Sequence, residues 1–170
     1  MTTVAMRLKL ALDQNFPVLV LDAADLLPEV EIAPLHRIDP RLSDLDDRKL
    51  IIALYQLGWG GLITNNYKML WVPSEIAAVV KTKSVVFAVE GVGDDPLRAT
   101  GAVLLELPAA AKRVRPGRAQ VFRVHPRAPQ PVDAWEYFRE AAERRRVDAS
   151  LLYEEARVTD EELKMSVLQP

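Results

Sequence analysis

Arg7-Leu-Lys-Leu-Ala-Leu-Asp13 alternates along its length and then ends on a carboxylate, directly before Gln14-Asn15-Phe16-Pro17. The pattern predicts a strand whose last residue emerges from the edge of a sheet. A carboxylate placed directly after a buried strand needs partners, because an unpaired buried charge is expensive. Proline tolerates the first turn of a helix, where its missing N–H would have been unpaired anyway. A helix is therefore expected over 16–27, stopped by Pro28. Its run Val18-Leu-Val-Leu21 is continuous rather than amphipathic, which leaves a strand as the alternative.

Outward from this stretch the pattern repeats. Residues 29–38 read as a second strand, with Pro34 marking an end or a bulge, and Asp39-Pro40 as a turn. Ser43 reads as a helix N-cap with an acid three residues on. Asp44, Asp46 and Asp47 crowd the first turn, where the helix dipole favours negative charge. Leu50, Ile51, Leu54 and Leu57 follow at helical spacing, and Gly58 closes the helix. Residues 60–64 form a short strand ending in Thr64-Asn65-Asn66, and 73–80 a helix that starts with proline. Residues 84–89 form a strand without charge, and 97–107 a helix stopped by Pro108. The loop Gly91-Val-Gly-Asp-Asp-Pro96 lacks the Lys-Ser/Thr of a P-loop, and its Asp94 and Asp95 read as an ordinary helix start. Strands and helices in alternation imply an α/β fold: a mainly parallel sheet covered on both faces, with three layers. The core domain is expected over 1–108. A C-terminal extension over 109–170 holds a strand at 120–124, a helix at 132–146 and an acidic helical tail.

The 170 residues, 49% hydrophobic and 27% charged, suit a globular domain. With no cysteine and only His36 and His125, disulfide scaffolds, thiolate sites and multi-histidine zinc sites are excluded. No apolar run is long enough for a membrane span, and the N-terminus does not read as a signal peptide. A soluble, cytoplasmic protein is expected. The net charge of −2 hides a local imbalance: residues 112–146 hold 10 Lys/Arg against 4 Asp/Glu, whereas residues 1–111 hold 10 against 14. A local basic block is what a polyanionic partner responds to.

In open parallel sheets, sites form outside the carboxyl ends of the strands. Three polar clusters are expected there: Asp13 with Asn15, then Asp44, Asp46 and Asp47, then Thr64, Asn65 and Asn66. Hard oxygen ligands of this kind suit Mg²⁺ or Mn²⁺. Each cluster also has a plain explanation. Asp46 and Asp47 suit helix caps, and Asn15 and Asn65 suit turns.

In order and spacing, Leu12-Asp13-Gln14-Asn15-Phe16-Pro17, Asp46-Asp47 ahead of a helix with Ala53 and Gly58, and Leu62-Ile63-Thr64-Asn65-Asn66 resemble the PIN-like domain. The likeness covers about residues 7–107 and is nearest to the branch that includes VapC-type toxins. It implies a Mg²⁺/Mn²⁺-dependent endoribonuclease, the toxin of a toxin–antitoxin pair, with RNA as substrate, an antitoxin protein as partner and a homodimer as assembly. It also implies that Asp13 and Asp46 or Asp47 bind the metal, with Asn66 as the third catalytic position and Asn15, Thr64 and Asn65 in support. Asn66 stands where the family has aspartate, and Lys68 where many relatives carry a further acid. The alternative is a degenerate PIN-like protein that binds RNA or a partner without cutting.

In the extension, Lys112, Arg113, Arg115 and Arg118 form a basic strip suited to RNA phosphates, with Lys68 as a further phosphate contact. The same strip also reads as a solvated linker that answers the acidic tail. Trp135 and Phe138 are expected to pack, Trp59 and Trp71 to cap the core, and His36 to sit in a strand.

Overall fold

A computed structural model describes residues 7–92, 94–126 and 130–164. Gly93 lies outside the described residues. The chain divides into two compact units, Met1–Arg127 and Ala128–Pro170.

In the first unit, β1 (Leu8–Leu12) leads through a 3₁₀ segment (Val18–Leu26) to β2 (Val30–Pro34). A single turn, α1 (Leu35–Ile38), a second 3₁₀ segment (Pro40–Asp44) and α2 (Asp47–Gln56) follow. Next come β3 (Gly61–Thr64), a 3₁₀ segment (Tyr67–Trp71), α3 (Pro73–Thr82), β4 (Val85–Val89), α4 (Pro96–Ala111) and β5 (Gln120–Val124). All five strands are parallel, in the order β2-β1-β3-β4-β5. The fold is α/β, with both faces of the sheet covered.

Alternation along the strands sorts side chains into two cores. Leu10, Leu12, Ile63, Val85, Phe87 and Val89 pack on one face with the first 3₁₀ segment and α4. Ala11, Leu62, Val86 and Ala88 pack on the other with α2 and α3. Because both faces are buried, these strands carry apolar runs instead of alternating with polar residues. Gly61 marks the tightest point, since a Cβ there would run into the Val85 carbonyl oxygen and Leu10.

Four expectations change. The helix expected at 16–27 forms as 3₁₀ over Val18–Leu26, with only Val20 buried in it. The strand expected at 29–38 stops at Pro34, and α1 takes over, so His36 lies exposed on a helical turn. Ser43 sits inside a 3₁₀ segment, and Asp46 is the cap of α2 instead. Pro108 does not end its helix: α4 continues to Ala111. A proline removes one intrahelical bond, but Leu107 just before it is buried, and Ala110, Ala111 and Val114 beyond it pack on the core. Packing of that face outweighs one lost bond.

The domain boundary at 108/109 is therefore corrected. It falls inside α4, and β5, assigned to the extension, pairs with β4 as the fifth strand of the sheet. The second unit contains α5 (Ala134–Arg145), α6 (Ala149–Ala156) and α7 (Asp160–Lys164). Trp135 and Phe138 stack at 5.3 Å, and Tyr153 meets both edge-on, so these aromatics are packing anchors as expected. Among the described residues, no helix is long and apolar enough to cross a membrane.

Candidate functional site

The strand order reverses direction between β1 and β3, and ligands of open parallel sheets bind at such a switch point. Asp13 follows β1 directly, and its N–H donates to the Ile63 carbonyl at 3.0 Å, which extends the sheet by one residue. Its side chain is thereby aimed at the end of β3. The Thr64 hydroxyl donates to Asp13 Oδ2 at 2.6 Å, with both side chains buried. A carboxylate in that position would be costly without a donor, and Thr64 supplies one.

Thr64 Oγ1 also accepts the Asn66 N–H at 2.9 Å, which fixes the turn after β3. That turn presents the Asn66 side chain, whose Nδ2 donates to Asp47 Oδ2 at 2.8 Å. Asn65 Nδ2 reaches the Asn15 carbonyl at 3.3 Å and ties together the loops that follow β1 and β3. Asp13, Asn15, Thr64, Asn65, Asn66 and Asp47 are thus joined in one neighbourhood.

Asp46 belongs elsewhere. Its Oδ1 accepts the Lys49 N–H at 2.9 Å and its Oδ2 lies 3.5 Å from Lys49 Nζ. Chiefly through the backbone bond, its pKa is lowered. Asp46 acts as the cap of α2, and Asp47, one residue on, turns toward the site. Burial, and after it the charge of Asp13, raises the Asp47 pKa, while the Asn66 bond works against that rise. The two carboxylates are linked through Thr64 and Asn66 at the switch point.

Among the described residues, no three His, Cys, Asp or Glu side chains group as a metal-holding cluster. Of the two acids expected as alternatives beside Asp13, Asp46 caps α2 and Asp47 joins the Asp13 neighbourhood, which leaves a pair. Such a pair still fits Mg²⁺ or Mn²⁺, because Mg²⁺ is commonly held by one or two carboxylates and keeps several waters.

The basic strip is also displaced from this neighbourhood. Lys112, Arg113, Arg115 and Arg118 connect α4 to the start of β5, at the amino edge of the sheet. The acidic pair lies at the carboxyl edge, one strand length away, about 16 Å for five residues. Lys68 alone of the expected phosphate contacts stays beside the site, exposed on the 3₁₀ segment after Asn66.

Two further carboxylates reach the carboxyl side of the molecule. Glu75 opens α3, which Arg48 of α2 ties in through a 2.7 Å bond to the Ser74 carbonyl. Its pKa is raised by burial first, then by the charges of Asp47 and Asp46. Glu90 follows β4 as Asp13 follows β1. It is buried and accepts from Arg123 Nε at 2.6 Å and Nη2 at 3.0 Å. His125 Nδ1 lies 3.1 Å from Glu90 Oε2, the oxygen that also accepts from Arg123 Nη2, and the Arg123 guanidinium lies 5.2 Å from the Trp71 ring centre. The signal that singles out Asp13, a carboxylate straight after a buried strand, applies equally to Glu90. Glu75 carries no such mark in the sequence.

Compared with known proteins, the chain matches no family model, no curated protein and no solved structure.

Proposed function

We propose that the chain is a PIN-like, Mg²⁺/Mn²⁺-dependent endoribonuclease of the toxin–antitoxin kind. The observation that carries this reading is the hydrogen-bonded chain from Asp13 through Thr64 and Asn66 to Asp47, which gathers two carboxylates at the switch point. Asp13 and Asp47 hold the metal. Thr64 fixes the Asp13 carboxylate and Asn66 orients Asp47. Lys68 offers a phosphate contact beside them. A bound divalent ion would supply an activated water and charge stabilisation at a phosphodiester. An antitoxin protein and a second copy of the chain are the partners this reading implies.

One observation favours a second reading. Asn66 brings an amide where the family carries a charge, and that amide already donates to Asp47. A neutral donor in this place weakens the pull on a dication, as in a degenerate PIN-like protein that binds RNA or a partner without cutting. Incubation of single-stranded RNA with the full chain and Mn²⁺ separates the two. The nuclease reading predicts cleavage that stops with EDTA and with Asp13→Asn. RNA that stays intact, yet is retained by the protein, supports the second reading and overturns the first.

A further inference from the structure

At the amino edge of the sheet, away from the acidic pair, lies a cavity of about 650 Å³. Leu8, Val85, Ala111 and Val114 contribute apolar lining, while Arg7, Lys9, Lys83, Arg115 and Arg118 add five cations against the single carboxylate of Glu29. Lys9 is paired with Glu31 at 3.9 Å. Among the described residues, no ion pair involves Arg7, Lys83, Arg115, Arg118 or Glu29.

Two of these cations are held in place by a turn. Arg115-Pro-Gly-Arg118 closes with the Arg118 N–H on the Arg115 carbonyl at 3.2 Å, and Gly117 has φ of +73°. Proline followed by a left-handed glycine is the signature of a type II turn, which brings its first and last residues close together. Gln120 anchors the turn, its Oε1 accepting the Arg115 N–H at 2.6 Å. The braced turn thus puts two arginines on the cavity lining, and guanidinium groups suit a phosphate. Lys83 lines the same cavity just before β4 and occupies a left-handed position, φ +56°, where glycine is the less strained residue.

We propose that this cavity binds a nucleoside monophosphate, its phosphate clamped by Arg115 and Arg118 with Lys83 as the third cation. The apolar lining suits a flat base, and the volume lies in the range of small-ligand pockets. Glu29 suits a ligand that carries N–H or O–H donors as well as an anion, which an ionised fatty acid does not. An acidic peptide added as a strand would need unpaired main-chain groups. At this edge, however, the Leu8, Gly60 and Val85 N–H groups are already bonded to Glu29, Lys9 and Gly60 carbonyls. The proposal goes beyond the metal-site reading and stands whether or not that reading holds.

Isothermal titration of the full chain with AMP, GMP, adenosine, inorganic phosphate and short RNAs bearing a 5′-phosphate or 5′-hydroxyl tests it. The expected result is saturable, salt-sensitive binding of a monophosphate. Arg118→Gln and Lys83→Gly should each weaken it by about tenfold, the loss of one charge-assisted contact. Lys83→Gly relaxes a left-handed residue, so the folded protein persists for the measurement. Asp13→Asn should leave the affinity unchanged. A mononucleotide that binds more tightly than the 5′-phosphorylated RNA marks a free nucleotide as the ligand. The reverse order, with the 5′-hydroxyl RNA silent, marks an RNA end. No saturable binding by any of these, affinity indifferent to both variants, or displacement of AMP by palmitate or a polyglutamate peptide would overturn the proposal.

Discussion

Thr64 and Asp13, 51 residues apart in sequence, share a buried 2.6 Å hydrogen bond that closes the crevice between β1 and β3. The hydroxyl is both a donor to the carboxylate and the acceptor that shapes the following turn. Thr64→Val keeps the volume but leaves the carboxylate without that donor. A loss of about 1.5–3 kcal/mol is expected, as for a buried bond to a charged group, measured by urea unfolding. Adding Asp13→Asn should recover part of it, because the two effects are coupled.

Asp47 gives the site a pH signature. Its native pKa lies above the ordinary 3.8, raised by burial and then by Asp13. As pH rises through the window between those two values, the folded chain holds the proton more tightly than the unfolded one, so Asp47 lowers stability across that window. Asp47→Asn removes this fall. Relative to the parent, the variant should gain stability on going from acid to neutral pH, as read by thermal melts at several pH values. In the same variant the Glu75 pKa should move down toward 4.5, followed by carboxyl NMR titration, because Asp47 is one of the charges that raise it.

Glu90 should act in the opposite sense. Its pKa is lowered, first by the Arg123 bonds and then by the charges of Arg123 and His125. The stability it contributes is present above the ordinary carboxylate value and is lost as pH falls through the lowered native one. Glu90→Gln should therefore destabilise the protein at neutral pH and approach the parent in acid. A penalty that stayed constant with pH would assign the effect to packing alone.

Gly61→Ala places a methyl group against the Val85 carbonyl in the middle of the sheet. A backbone carbonyl in a parallel ladder has little room to yield, so a cost of about 3 kcal/mol is expected. Circular dichroism melts would show it as a large fall in Tm.

Local patterns made most of this fold legible. The apolar runs of β3 and β4, the proline that opens α3 and the glycine after α2 all carried their positions in the sequence. What stayed hidden depended on tertiary packing. Nothing local distinguishes Pro108 as a residue inside a helix, because the reason is the burial of Leu107 and the residues around it. Asp46 and Asp47 are adjacent acids, and only the hydrogen bond to the Lys49 N–H makes one the cap and leaves the other for the site. The basic strip looked like a companion of the acidic cluster until the direction of β5 placed it at the opposite edge. Glu90 was legible by the same argument as Asp13, but its partners Arg123 and His125 come from the next strand.

The proposed nuclease requires Asp13 and Asp47 together to hold a divalent cation. Titration of Mn²⁺ into the full chain, followed by electron paramagnetic resonance of the free ion and by the melting temperature, tests it most directly. One Mn²⁺ should bind per chain, and the Tm should climb with concentration, since a ligand of the native state must stabilise it. Both signals should vanish in Asp13→Asn and in Asp47→Asn. Free Mn²⁺ equal to the total at every addition, with an unmoved Tm, would contradict it.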